Sequence, residues 1–214
     1  DQNITVLSLR VGQGVSGSLL IGNNATTRSV TVNELLYVNT GASLTPGAFN
    51  GTHAIFILGN IENRGTCSFY NSSASKANVT FNTTDGNILG TNPVTFNVLT
   101  IATSKVLTTA VAMDINSHVV LNGTFNDGGL THTVAGDWTE GASGVRSGSG
   151  TINFDGINPT ISGNVLFNNV TFSGAGSASV ATGGTFIADG NFLVSNGTVF
   201  SSLSNVTVRG IFTV

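Results

Sequence analysis

One phrase is written three times in this chain: "TVNELLY" (31–37), "TFNVLTI" (95–101) and "LFNNVTF" (166–172), spaced by 64 and 71 residues. Each copy places an apolar residue before Asn and a second apolar pair after it. The copies are Val32-Asn33 with Leu35 and Tyr37, Phe96-Asn97 with Leu99 and Ile101, and Phe167-Asn168 with Val170 and Phe172. Two further sets recur. Ile57-Leu58-Gly59, Val134-Ala135-Gly136 and Val208-Arg209-Gly210 lead into Ile61, Trp138 and Phe212 at spacings of 77 and 74, and "VTFN" (79–82) matches "INFD" (152–155) at 73. All three sets keep the same order. A fixed period of this kind is the signature of a stacked architecture, in which each unit buries its apolar face against the next.

Helical periodicity is nearly absent. Apolar residues alternate in short runs such as "ITVLSLRV" (4–11), "RSVTVNELLYV" (28–38), "HVVLNGTF" (118–125) and "NVTVRGIFTV" (205–214). These runs are rich in β-branched and aromatic residues, the composition of strands. Asp-Gly at 85, 127, 155 and 189 and Asn-Gly at 50, 122 and 196 supply tight corners, because both residue types tolerate positive φ. The one helix candidate, "TTAVAMDINSHVV" (108–120), has many β-branched residues and no cap pattern, which predicts strands about a turn at Asp114–Ser117.

The expected fold is therefore all-β: a parallel, right-handed β-helix (β-solenoid) built of repeats of about 70–77 residues, with about three coils in each. Tandem β-sandwich domains are the alternative. Corner loops absorb the drifting spacing of a solenoid easily, and no Pro-marked linker separates the units. Residues 1–29 form a first coil or the end of a preceding repeat, 30–93 repeat 1, 94–164 repeat 2, and 165–214 an incomplete repeat 3, all in one continuous solenoid. Val32, Leu35, Tyr37, Phe96, Leu99, Ile101, Phe167, Val170, Phe172, Ile57, Val134, Val208, Trp138 and Phe212 are the expected core residues, refilling the same columns at each repeat. Asn33, Asn97 and Asn168 are expected to form a ladder of corner hydrogen bonds.

Certain segments resemble a known family. "LNGTFNDGGLTHTVAGDWT" and "GTINFDGINPTISGNVLFNNVTFSGAG" are similar to the repeats of large secreted surface adhesins of Bacteroidota, which leave the cell by the type 9 secretion system and in some cases serve gliding motility. The matching positions are Gly123-Thr124-Phe125, Val134 to Trp138, Thr151 to Gly156, Ile161-Ser162-Gly163 and Phe167 to Phe172. The match runs over 94–214, weakens over 30–93, where "GNIENRG" replaces Gly-Asp-Trp, and is absent over 1–29. The resemblance implies a solenoid at the cell surface, outside the cell.

Composition sets limits. Charged residues are only 8 % of the chain, Lys and Arg total 7, and the net charge is −3. Nucleic acids and anionic membranes are bound through clustered basic residues, so neither is an expected partner. Apolar runs such as "AIFIL" (54–58) are too short to span a bilayer, and no signal peptide stands at the start. Cys67 is the only cysteine, which excludes an internal disulfide and predicts a small buried hydrophobe.

No reactive constellation stands out. "GQGVSG" (12–17) matches GxGxxG but precedes no helix, so a turn is expected. His53, His118 and His132 lack ligand spacing. Asp137 and Glu140 are close in sequence, and Asp127 and Asp155 could approach across coils, but glycan cleavage needs a positioned carboxylate pair. Asp127 and Asp155 are also weak calcium candidates, although the Gly-Gly-x-Gly-x-Asp nonapeptide is missing. Asn-x-Ser/Thr recurs ten times from Asn3 to Asn205, Asn24 and Asn196 included, as potential glycan acceptors. The expected function is structural: a rigid stalk of an extracellular adhesin or fibre, without catalysis, metal or cofactor, touching surface glycans or cell-surface proteins. The alternative is a subunit of a head-to-tail extracellular filament. A solenoid polysaccharide lyase or hydrolase is the third reading.

Overall fold

The computed structural model describes residues 3–14, 16–22, 25–48, 50–195 and 197–214. Val15 of the glycine-rich motif and the acceptors Asn24 and Asn196 lie outside the described residues. The described residues form 29 strands and no helix. Strand pairing is parallel throughout, except where Tyr70–Ser72 folds back on Ser75–Phe81.

The chain winds as a three-sided parallel β-solenoid of about nine turns. One coil shows the plan. Leu99–Ile101 lies on the first face, Val106–Thr109 on the second and Met113–Ile115 on the third, and Val119–Leu121, Thr124–Asn126 and Thr131–Val134 repeat the circuit directly beneath. The first and second faces belong to one hydrogen-bonded sheet, because Ser29–Val38 runs around a corner and pairs with Gly51–Ile57 on one side and Asn60–Asn63 on the other. The third face is an unbroken ten-stranded sheet from Gly17–Ile21 to Phe212–Thr213. The second face is interrupted after Val145–Ser147 and resumes as Asn164–Phe167, Thr185–Ala188 and Asn205–Val208.

Three-residue strands with the pattern in, out, in explain the short alternating runs. A strand that alternates at period two turns its apolar set inward. Each backbone group then pairs with the coil above or below, as Leu99 N–H does with the His118 carbonyl (3.0 Å) and Val119 N–H with that of Asp137 (2.9 Å). Residues 108–120 contain strands, as expected. The corner there is Asn116–Ser117, and Asp114 sits mid-strand in Met113–Ile115.

Columns run at one coil, so the repeated phrase does not refill a single column. Val32, Ile57, Phe81, Ile101 and Leu121 stack through successive coils on the first face. Phe96 instead ends a strand on the third face and Phe167 one on the second. The other sets rotate in the same way: Ile57, Val134 and Val208 lie on the first, third and second faces, and "VTFN" and "INFD" on the first and third. Each repeat advances by whole coils plus two thirds of a turn. The physical reason is that all three corners pose one problem, an inward strand end followed by a bend and a new inward strand. One phrase solves it at any corner.

Of the proposed core, Val32, Ile57, Phe96, Leu99, Ile101, Val134, Trp138, Phe167, Val170 and Phe172 are buried. Leu35 and Tyr37 are only half-buried, and Leu36 and Val38 point inward instead. The two exposed residues Asn33 and Glu34 form a bulge against the first coil, so the inward positions Val32 and Leu36 stand four residues apart, where Phe96 and Leu99 stand three apart. Val208 is half-buried and Phe212 is 55 % exposed, since no described strand lies beyond the final coil. Aromatic rings fill the C-terminal coils, with Phe154 stacked on Phe172 (centroids 4.9 Å) and Trp138 edge-on to Phe167 (5.3 Å).

The corner asparagines also need correction. Asn33, Asn97 and Asn168 occupy three different corners and form no ladder. Asn33 is exposed, Asn97 donates to the Asn78 side chain (2.6 Å), and Asn168 accepts from its neighbour Asn169 (2.9 Å). The proposed chemistry appears at other positions. Asn169 Oδ1 accepts the N–H of Asn191 (2.9 Å), and Asn191 Oδ1 accepts that of Ile211 (3.3 Å).

Candidate functional site

The densest chemistry lies inside the solenoid, at inward positions of two consecutive coils. Period-two alternation that elsewhere turns Leu or Phe inward here turns in Asp127, His132, Glu140 and Arg146. Arg146 sits directly below Phe125, Glu140 below Leu121, and His132 above Ile152. All four are buried.

Asp127 anchors the layer. Its carboxylate forms an ion pair with the Arg146 guanidinium and accepts N–H bonds from Gly129 (2.8 Å) and Gly150 (3.2 Å to each oxygen). Arg146 also donates to the Gly150 carbonyl (3.0 Å), and its guanidinium carbon stands 5.8 Å from the Phe167 ring centre. His132 accepts the Met113 N–H at Nδ1 (3.0 Å) and meets the Asp127 carbonyl at Nε2 (2.9 Å). Those bonds suit the neutral ring with its proton on Nε2, and burial lowers its pKa. Glu140 is less well held. Its Oε2 accepts only the Trp138 indole N–H at 3.4 Å, and burial pushes its pKa up to about 7, against smaller opposing effects from Trp138 and Arg146. Burial also lowers the Arg146 pKa, opposed by Asp127 and Glu140. Two carboxylates thus share one cation in a low-dielectric interior, and the proton balance falls on Glu140.

This layer is buried, and its bonds tie adjacent coils together. Sequence reasoning offered Asp127 and Asp155 as weak calcium candidates and as two carboxylates that could approach across coils. The structure separates them: the Asp127 carboxylate is enclosed against Arg146, whereas Asp155 is exposed. Asp155 has its pKa raised by partial burial and then by Asp114. No group of three or more His, Cys, Asp or Glu among the described residues could hold a metal ion. Asp137 and Glu140 do not converge either. Asp137 faces out and accepts the Thr160 N–H (2.8 Å), while Glu140 faces in. The parity of "DWTE" and "GVRSG" would have revealed Glu140 and Arg146 as inward-facing.

The remaining residues of chemical interest lie apart from this layer. The described residues 12–14 and 16 of the glycine-rich motif lie between the strands Ile4–Val11 and Gly17–Ile21. His53 is buried, accepts the Arg28 N–H (3.3 Å), and has its pKa lowered by burial and then by Arg28. Cys67 is buried in the third-face column beside Leu44 and Val94, and burial pushes its thiol well above its ordinary range.

Outside, neutral hydrogen-bonding groups stand in register. On the third face Ser68, Thr95, Asp114, Thr133, Asn153 and Thr171 occupy one outward column, one per coil. Thr133 donates to Asp114 (2.8 Å). Thr131, Thr151 and Asn169 stand beside it in a second column. Parallel pairing spaces such groups about 4.8 Å apart along the axis. The second face carries Asn60, Asn87, Thr108, Asn126 and Ser147, joined by Asn87–Asn60 (3.2 Å) and Asn126–Thr108 (3.0 Å) bonds.

Fold and surface together define the chain as a three-sided parallel β-solenoid with a buried ionic layer and neutral polar faces. No protein-family model, curated protein or solved structure matches it.

Proposed function

We propose that this chain is a structural segment of an extracellular surface adhesin or fibre, a stiff stalk whose faces make repeated weak contacts. One observation carries the reading: the unbroken third face presents a register-matched column of neutral hydroxyl and amide groups, with Asp114 its only charge. Such a face suits an uncharged partner with its own repeat, a surface glycan or a cell-surface protein. Many small contacts in register give strength through multivalency. A helix long and apolar enough to cross a membrane is not found among the described residues.

Binding of the purified chain to an insoluble neutral glucan tests the adhesive role. Retention is expected, and Thr95→Lys/Thr133→Lys/Thr171→Lys should abolish it. Thr80→Lys/Thr100→Lys/Thr139→Lys, on the first face, should leave it intact. Equal retention of both triple variants would sink the assignment to this face. Antibody labelling of intact source cells tests the surface location.

A second reading, a head-to-tail filament subunit, draws support from the apolar groups at both ends of the described rod. Ile4 and Leu20 are 53 % and 57 % exposed, and Ile211 and Phe212 are 66 % and 55 % exposed. An unpaired strand edge with apolar flanks accepts another strand readily. Concentration-dependent rods in electron micrographs would support this reading, and a monomer at all concentrations would refute it.

A further inference from the structure

The first coils are wider than the rest. Ile4 pairs with Val30 and Val30 with Ile55, turns of 26 and 25 residues, whereas Leu99 pairs with Val119 and Val119 with Trp138, turns of 20 and 19. A longer perimeter encloses more space, yet the inward side chains lining it, Val6, Val32, Leu36, Leu44 and Ile55, are aliphatic and no larger than those of later coils: Val32 is followed in its column by Ile57 and Phe81, and Leu36 by Ile61 and Ile88. The result is a cavity of about 470 Å³ running from the first coil to Phe69.

Packed interiors hold few voids larger than a water molecule. This one has room for roughly fifteen water-sized groups at about 30 Å³ each, and apolar cavities stay dry and take apolar guests. Its volume falls within the range of small-molecule sites. It opens toward the first coil, where Ile4 and Leu20 are more than half exposed.

Among the described residues, one charged residue lines this cavity, Arg28. Its Nε is buried and has no hydrogen-bond partner among the described residues. The ion pairs among the described residues employ other cations: Arg64, His118, Arg146 and Arg209. A partly desolvated guanidinium without an anion is costly, and a carboxylate is its natural bidentate partner.

We propose that the cavity binds a free fatty acid of medium chain length, with the acyl chain among the aliphatic side chains and the carboxylate on Arg28. A neutral alkyl chain would fill the same space but leave Arg28 unpaired. An alkyl cation would set like charge against it.

The test is calorimetric titration of the intact chain with laurate, dodecanol and dodecyltrimethylammonium, each below its micellar concentration, followed by thermal unfolding of each mixture. Laurate is expected to bind one per chain, raise the unfolding midpoint, and bind at least tenfold more tightly than dodecanol. Arg28→Gln, on the cavity wall, should erase that preference while leaving the ligand-free midpoint within about two degrees. Val6→Trp/Leu19→Trp, which crowds the void from two partly exposed positions on its wall, should weaken binding of laurate and dodecanol alike without lowering the ligand-free midpoint. Absence of laurate binding, equal affinity for dodecanol, or laurate affinity unchanged in Arg28→Gln would each overturn the proposal.

Discussion

Replacing Glu140 by Gln should make the protein more stable at neutral pH. Glu140 is 7 % exposed and occupies a first-face column position below Leu121. Its pKa rises from 4.5 to about 7, chiefly through burial. A raised carboxyl pKa means the folded state holds its proton more tightly than the unfolded chain does. Between pH 4.5 and about 7 the folded state therefore binds more protons, and stability falls as pH rises through that window. Above it the loss is complete. At about 1.4 kcal/mol per pH unit the full effect would be near 3 kcal/mol, and residual solvent screening reduces this to about 2 kcal/mol. Gln keeps the shape and an oxygen for the Trp138 indole, and carries no charge. The assay is urea unfolding of both proteins at pH 5, 6, 7 and 8. Wild type and Glu140→Gln should be similar at pH 5 and diverge to about 2 kcal/mol in favour of the variant at pH 8, roughly 4–8 °C in midpoint for a chain of this size. Taking the difference cancels His53, His132 and Asp155, which titrate alike in both. A variant that tracks wild type at every pH, or is less stable at pH 8, would refute the reasoning.

Arg146→Met should cost about 3–5 kcal/mol, because it leaves the buried Asp127 carboxylate without its cation. Asp127→Asn/Arg146→Met should be less destabilised than Arg146→Met alone, and urea midpoints of the two variants will check the coupling. Gly156→Ala should lower the melting temperature by an amount equivalent to about 1–3 kcal/mol, since the added Cβ would overlap the Ala135 carbonyl of the preceding coil. Trp138→Ala should cost about 3–5 kcal/mol in chemical unfolding, because the ring is 1 % exposed and packs edge-on against Phe167.

Much of this architecture can be read from the chain alone. Alternation at period two, in runs of three to five residues cut by Gly, Asn and Asp, specifies short strands and corners. The ordered recurrence of "TVNELLY", "TFNVLTI" and "LFNNVTF" specifies stacking. Both signals are local, set by where each side chain must point, so they survive without knowledge of the partners. The buried identities of Phe96, Trp138 and Phe172 follow from the same parity. Parity also contained Glu140 and Arg146, but charged residues invite an outward reading, and only the packed coils show that they face each other across the interior.

Other features depend on long-range register. The phrase repeats every 64 or 71 residues, while parallel pairing joins residues 18 to 27 apart. Which face each copy joins depends on the cumulative length of every intervening corner, a global sum that no local segment records. The bulge at Asn33-Glu34, the ladder through Asn169 and Asn191, and the wide first coils around Arg28 arise from that sum as well. The sequence by itself determined the kind of strand, the kind of corner and the fact of stacking. Tertiary structure decided which residues share a column, because a column forms only when whole coils close to the same length.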